Sequence, residues 1–387
     1  MHKYQYPCTK HIEMIGFGEF LEKESRVSRS NINQLAKELC SAFGPEYITL
    51  VNSGTSANLV AALALAEKIK KDGKPLTAVI SAFTFPTTID SLLMAGFSLQ
   101  MVDVEKNGFN MSVPELAALP IPPSLICVTH FLGFPCDMPG VREYADKNHC
   151  YIMQDACETM NPEIDGRYIF EYGDITTWSF YHPHHLSAYG GGAVITANRE
   201  DYLLCDSIAH WGRGCKCHVD ESLCHVPDGP AHQFTYERLG VNVEMSELNA
   251  CFGRWQMRDW IEQEKKRNEH YDKLYEAFSV NPNVSVWKKP DTGISPFVFP
   301  IMLKNGMSVS DLYVRTRPED FEIRTLMGGV SNRQQAFRTI LPQSPMPNAD
   351  EMEDKCFIVG IHQTLDHLFC EIAPEVFEMQ SNYSALG

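Results

Sequence analysis

The feature that most constrains this chain is an alternation of short apolar runs with helix-period segments over roughly 200 residues. Leu35, Leu39 and Ala42 share one face of a segment from Asn31 to Phe43, the spacing of an amphipathic helix. Tyr47-Ile48-Thr49-Leu50-Val51 then reads as a buried strand, and a helix follows from Ala57 to about Lys70. Ala78-Val79-Ile80 is strand-like, Thr87 to Met94 helical, and Leu99 to Val102 strand-like again. Leu125 to Thr129 and Tyr151-Ile152-Met153 are two more strands, with a helix from Val141 to Asn148 between them. Such a pattern predicts an α/β fold with a parallel, doubly wound sheet whose ligands bind at the carboxyl ends of the strands.

Two features fall on that edge. The turn Asn52-Ser53-Gly54-Thr55-Ser56 joins a strand to a helix start, which aims backbone N–H groups and a helix dipole at a phosphate or, equally, makes an ordinary N-cap. Asp155 lies just past the Tyr151 strand, where a carboxylate serves as a ligand, a catalytic group or a helix cap. Further on, one long helical pattern runs from Ser246 to about Phe278, Pro282 and Pro290 mark a junction, and Pro296 to Met302 reads as a strand opening a smaller α+β unit. With 49 acidic against 33 basic residues and a formal net charge of -16, the chain offers no basic stripe for nucleic acid. No apolar run reaches the ~18 residues of a membrane span and no signal pattern opens the chain, so a cytoplasmic protein is expected.

Thirteen cysteines are too many to pass over and, in such a chain, are not a disulfide framework. Most sit in apolar runs, such as Cys127 and Cys356, and read as small core residues. Cys215, Cys217 and Cys224 crowd instead into a polar loop, where several thiolates can face one soft metal centre. Zinc or an iron–sulfur cluster fits, with His218 or His225 as a further ligand.

Ser53-Gly54-Thr55, Asp155, Ser179-Phe180-Tyr181, Gly190-Gly191-Gly192 and Gly240-Val241-Asn242 occur in an order that resembles the DegT/DnrJ/StrS-type sugar aminotransferases. These are fold-type I, pyridoxal-phosphate-dependent enzymes of the aspartate aminotransferase type. The resemblance implies an N-terminal segment over 1–30, a large cofactor-binding domain over 31–260 that includes a Cys-rich loop at 212–225, a linking helix and junction over 261–290, and a small domain over 291–387. In that family a lysine five residues after the Ser of the Ser-Phe step holds the cofactor as a Schiff base; here the position is His184, and no lysine occurs between Lys147 and Lys216. The exchange resembles the 3-dehydratases of nucleotide-linked 4-keto-6-deoxyhexoses, which bind pyridoxamine phosphate without a covalent link, and a competent aminotransferase is not expected. The order Cys157, Cys215, Cys217, Cys224 is similar to the [2Fe–2S] motif of the CDP-6-deoxy-4-hexulose 3-dehydrase branch, with a last gap one residue short.

The resemblance implies roles for single residues. Gly54, Thr55, Ser56 and Ser179 would hold the cofactor phosphate, Phe85 would stack on the ring, and Asp155 would keep the ring nitrogen protonated. Asn242 would reach the phosphate of a second copy in a homodimer. His184 would move the proton, with His185 orienting it or assisting the leaving hydroxyl. A separate reductase would feed the cluster on Cys157, Cys215, Cys217 and Cys224. Gly190, Glu244 and Gly329-Val330 depart from the family pattern. The alternatives are a cluster-independent dehydratase acting on a GDP-keto-sugar and an inactive, regulatory relative.

Overall fold

The computed structural model describes residues 8–10, 12, 14–24, 30–304, 306–315, 322–365 and 377. Seven strands build the main sheet: β1 Tyr47–Val51, β2 Thr77–Ser81, β3 Ser98–Val102, β4 Leu125–Thr129, β5 Tyr151–Asp155, β6 Ile175–Ser179 and β7 Gly192–Thr196. Their order across the sheet is β1-β7-β6-β5-β4-β2-β3. The strands from β3 to β6 pair in parallel, while β7 runs antiparallel to both β6 and β1. The sheet is therefore mixed where the alternation predicted a parallel one. The reason lies in residues 180–191, which form no helix between β6 and β7; without a crossover helix the chain turns back on itself.

β4 and β6 are buried along their whole length, as strands covered on both faces must be. The helix Gly54–Lys71 supplies much of one cover through Leu65 and through Ala57, Ala61 and Ala64, small residues that let it lie close to the strands. Register places Asp155 of β5 beside Thr129 of β4 and Thr177 of β6. The carboxyl ends of β1, β4, β5 and β6 thus present Ser53, Thr129, Asp155 and Ser179 to one cavity.

A second, antiparallel sheet of Val284–Val286, Phe299–Leu303, Cys356–Val359 and Arg324–Thr325 lies towards the C-terminus. The strand predicted from Pro296 begins only at Phe299, because Phe297 is spent on the cavity wall, where its N–H donates to the Leu132 carbonyl at 2.8 Å. The single long helix predicted after Ser246 is two, Glu247–Met257 and Trp260–Ser279. The backbone leaves helical geometry at Asp259 (φ -111°, ψ 11°), so the first half packs on the helix Ser30–Phe43 and the second on the small sheet. No periodicity signal marks that change of partner.

Cys127, Cys136, Cys150, Cys205, Cys251 and Cys356 are buried, Cys8 and Cys40 are half-buried, and Cys370 lies outside the described residues. Among the described residues no helix is long and apolar enough to cross a membrane.

Candidate active site and a cysteine-rich loop

A cavity of about 1040 Å³ opens at the carboxyl edge of the main sheet, walled on the far side by residues of the small sheet's neighbourhood such as Tyr313, Arg324 and Met327. Its floor is Asp155. One carboxylate oxygen accepts from Asn58 Nδ2 at 2.9 Å and from Thr88 Oγ1 at 2.5 Å, and the other from the Cys157 N–H at 3.1 Å. Thr177 Oγ1 in turn donates to Asn58 Oδ1 at 2.6 Å. A buried carboxylate with this many donors is held in one orientation.

Above it lies the start of the helix Gly54–Lys71. Ser53 caps that helix, its Oγ accepting from the Ser56 N–H at 3.0 Å. Gly54 and Thr55 line the cavity, where first-turn N–H groups lack intrahelical partners and attract anions. Ser56 lies outside the lining: its N–H is taken by the cap and its Oγ donates to Asn52 Oδ1 at 2.6 Å. The glycine is required, because a Cβ at Gly54 would stand 2.6 Å from Ser179 Cβ and 3.0 Å from Cys157 Sγ. Ser179 itself lines the cavity at the end of β6. Phe85 lines it too and is 50% exposed, so its ring is a plate facing the cavity and not part of the core.

His184 lies in the wall, half-buried, its ring stacked on Phe297 with centroids 5.1 Å apart and planes 18° from parallel. Its Nδ1 is buried and has no hydrogen-bond partner among the described residues. Burial, then the nearby charges of Lys10 and Arg267, push the imidazole down to about 3, and a bond to the Cys157 carbonyl opposes this. The ring is therefore a neutral proton acceptor across the physiological range.

His185 corrects an expectation. It is fully buried outside the cavity lining, with Nε2 3.0 Å from the Ser295 carbonyl, so it cannot touch a hydroxyl leaving from a bound substrate. Asn242 is exposed and also outside the lining, bridged to His210. Glu244 faces His210 Nε2 at 3.6 Å, while Gly190 lies in the cavity wall.

Two groups were missed from sequence. Glu158 lines the cavity, accepts from the Leu132 N–H at 2.6 Å, and is pushed up to about 8, chiefly by burial. Its position three residues after Asp155 was the available signal. Lys10 is fully buried, its Nζ donating to the His185 carbonyl at 3.1 Å. Burial, then Arg267, lowers it to about 7. No local pattern links it to residues 175 positions away.

The metal expectation divides. Cys215, Cys217 and Cys224 do come together, and the fourth group with them is His232. Cys157 is not in that group; it lines the cavity against Gly54 and Ser179. His218 and His225 are not in it either, since they pair with Asp206 at 2.8 Å and Glu237 at 2.5 Å.

The profile of the DegT/DnrJ/EryC1/StrS aminotransferase family matches residues 11–369. The chain belongs to that family. Lipopolysaccharide biosynthesis protein RfbH of Salmonella typhimurium is 28% identical over 360 residues, covering 86% of this chain and 81% of that protein. A dTDP-4-dehydro-2,6-dideoxy-D-glucose 3-dehydratase of Saccharopolyspora spinosa is 27% identical over 370 residues, covering 89% and 79%. Among solved structures, an E. coli GDP-4-keto-6-deoxy-D-mannose-3-dehydratase with bound hydrated PLP superposes with a TM-score of 0.86 at 20% identity, covering 97% of this chain and all (100%) of that one. That likeness shows the fold: a fold-type I architecture with a large, mostly parallel mixed sheet.

Proposed function

We propose that this family member is a dehydratase that removes the C3 hydroxyl of a nucleotide-linked 4-keto-6-deoxy sugar, with pyridoxamine phosphate held without a covalent bond. The observation that carries the reading is His184, a neutral imidazole that lines the cavity at the position of the family's lysine. The cavity suits the cofactor on its own terms: a carboxylate floor for a pyridinium nitrogen, an exposed aromatic plate, and a capped helix start for a phosphate. Relatives named as 3-dehydratases support the same reading.

When bound, pyridoxamine phosphate supplies the amine that condenses with a sugar ketone and the electron sink that makes proton removal feasible. The chain's own part is to orient and to move protons. Asp155, fixed by Asn58 and Thr88, holds a positive charge at the cavity floor. Gly54 and Thr55 offer N–H groups to the phosphate, and Phe85 covers the ring face. His184, held flat by Phe297, takes a proton as the C3 hydroxyl departs, and returns one so that it leaves as water. Lacking a reactive amine, the imidazole does not capture the cofactor. Arg324 at the cavity wall gives a guanidinium for the substrate's phosphates. Asn242, exposed and outside the lining of its own cavity, would serve the second copy if the chain forms the homodimer the family resemblance implies.

Cys157 lines the cavity outside the group of Cys215, Cys217, Cys224 and His232, and no electron transfer is assigned to these residues here. The test is direct. Protein loaded with pyridoxamine phosphate is incubated with CDP-, GDP- and dTDP-linked 4-keto-6-deoxyhexoses, and mass spectrometry and NMR follow loss of water and of the C3 oxygen. Dehydration of at least one is expected, abolished in His184→Asn. Amino-group transfer to the sugar at the usual rate, or no turnover of any of them, would overturn the reading.

A further inference from the structure

Residues 8–10 run between the small sheet and the histidine segment, and both ends of that short stretch are tied. Cys8 is joined twice to one residue 314 positions away: its N–H donates to Glu322 Oε2 at 2.9 Å and its thiol to the Glu322 carbonyl at 3.0 Å. Its backbone also lies close on Gly360, where a Cβ would stand 2.7 Å from the Cys8 carbonyl oxygen and 2.8 Å from its Cα. Glycine is what admits that approach. Two residues on, Lys10 is fully buried and its Nζ donates to the His185 carbonyl at 3.1 Å. Cys8 and Thr9 line the cavity between these ties.

The tie at Cys8 continues into the cavity wall. Glu322 Oε1 accepts from Arg324 Nε at 3.0 Å, with Nη2 also 3.0 Å away. One carboxylate therefore holds residues 8–10 on one oxygen and the guanidinium on the other. An exposed Arg–Glu pair by itself fixes little, because both side chains keep their rotamers. Here the carboxylate is anchored by a backbone N–H and is only 18% exposed, against 47% for the arginine. The pair thus has one fixed member, which aims the Arg324 fork. Nη1 has no hydrogen bond to any described residue, so the outer edge of the fork is left to phosphate oxygens. The carboxylate also offsets the guanidinium charge, and orientation and attraction pull in opposite directions. At this half-exposed edge salt screens the repulsion, while the loss of one ordered long side chain is felt in full.

We infer that residues 8–10 are a positioning strap for the diphosphate of a sugar nucleotide: the Cys8 N–H fixes Glu322, and Glu322 fixes the Arg324 guanidinium at the cavity wall. Glu322 and Gly360 are then positioning residues, and Arg324 is the group that touches the ligand. The inference rests on the nucleotide-sugar reading proposed above.

Isothermal titration calorimetry of the full chain with CDP, GDP and dTDP reads the outcome. The parent should bind at least one of them, and Arg324→Ala should weaken that ligand at least about 10-fold. Glu322→Ala should weaken it about 3- to 10-fold, the effect of re-ordering one long side chain on binding. Gly360→Ala should do the same, because its new methyl meets backbone atoms of Cys8 and lifts the strap off Glu322. In an Arg324→Ala background neither substitution should weaken binding further, since both act through the guanidinium. A loss that persists in that background is general loosening and overturns the inference. Tighter binding by Glu322→Ala also overturns it, because the carboxylate would then only cancel charge. Absence of binding by the parent, or binding indifferent to Arg324→Ala, overturns it too and leaves the dehydration assay to decide the reaction. Failure of dehydration with these binding losses intact would fault the reaction and leave the strap standing.

Discussion

Gly54→Ala tests whether the helix start is built as a phosphate cradle. The added methyl would meet Ser179 Cβ at 2.6 Å, Ser179 Oγ at 2.9 Å and Cys157 Sγ at 3.0 Å. Carbon atoms rest about 3.5 to 4.0 Å apart, so the overlap with Ser179 Cβ is about 1 Å. That atom is fixed to the β6 backbone and cannot swing aside, so the helix must retreat. Overpacking of this kind costs about 1–3 kcal/mol of stability. A retreat of about 1 Å also lengthens the N–H contacts to a bound phosphate beyond hydrogen-bond range. Two charge-assisted bonds at about 1.5 kcal/mol each make about 3 kcal/mol, or roughly a 100-fold loss of affinity for pyridoxamine phosphate. Gly73, just beyond the far end of the same helix, has open space around its Cβ position and φ +70°, so Gly73→Ala strains only the backbone. It should cost about 1 kcal/mol without changing cofactor affinity. Urea denaturation and a fluorescence titration with the cofactor read both quantities. Affinity in Gly54→Ala within threefold of the parent, or an equal loss in Gly73→Ala, would refute the reasoning.

His184→Lys should trap pyridoxal phosphate covalently, giving a Schiff-base absorbance removable by borohydride; no such band would mean position 184 does not face the cofactor. The acid limb of turnover due to His184 should fall below pH 5, since burial and the Lys10 and Arg267 charges push that imidazole down to about 3; a limb near 6.5 would contradict this placement. Glu158→Gln should change how stability depends on pH. The carboxyl is raised from its ordinary 4.5 to about 8, so the folded chain keeps a proton that the unfolded chain has released between those values. The associated stability is present below pH 4.5 and lost as pH rises through about 8. That interval is worth about 5 kcal/mol, and screening from the cavity side leaves about 2–3. The difference in urea stability between parent and Glu158→Gln should shift by that amount from pH 5 to pH 8.5; parallel curves would reject the assignment.

What was legible in the sequence was local. Tyr47–Val51, Leu125–Thr129 and the helices between them show in periodicity, because alternate or one-sided burial leaves its mark within a few residues. Ser53 as a cap and Asp155 at a strand end were legible for the same reason, since the groups they serve are near in sequence. His184 needed the family's register, as nothing in Tyr181-His182-Pro183-His184-His185 says which imidazole faces the cavity.

What only the tertiary structure decided involves distant partners. It turned His185 away to the Ser295 carbonyl, brought Lys10 to the back of the histidine pair, and split the long helix at Asp259 where its packing partner changes. It inserted β7 antiparallel between β1 and β6. The cysteines show the division most sharply. Spacing alone gathered Cys215, Cys217 and Cys224, since a short loop cannot carry them far apart. That His232 and not Cys157 lies beside them depended on which way a strand end points and how a loop closes, and contacts of that kind leave no periodic trace in the chain.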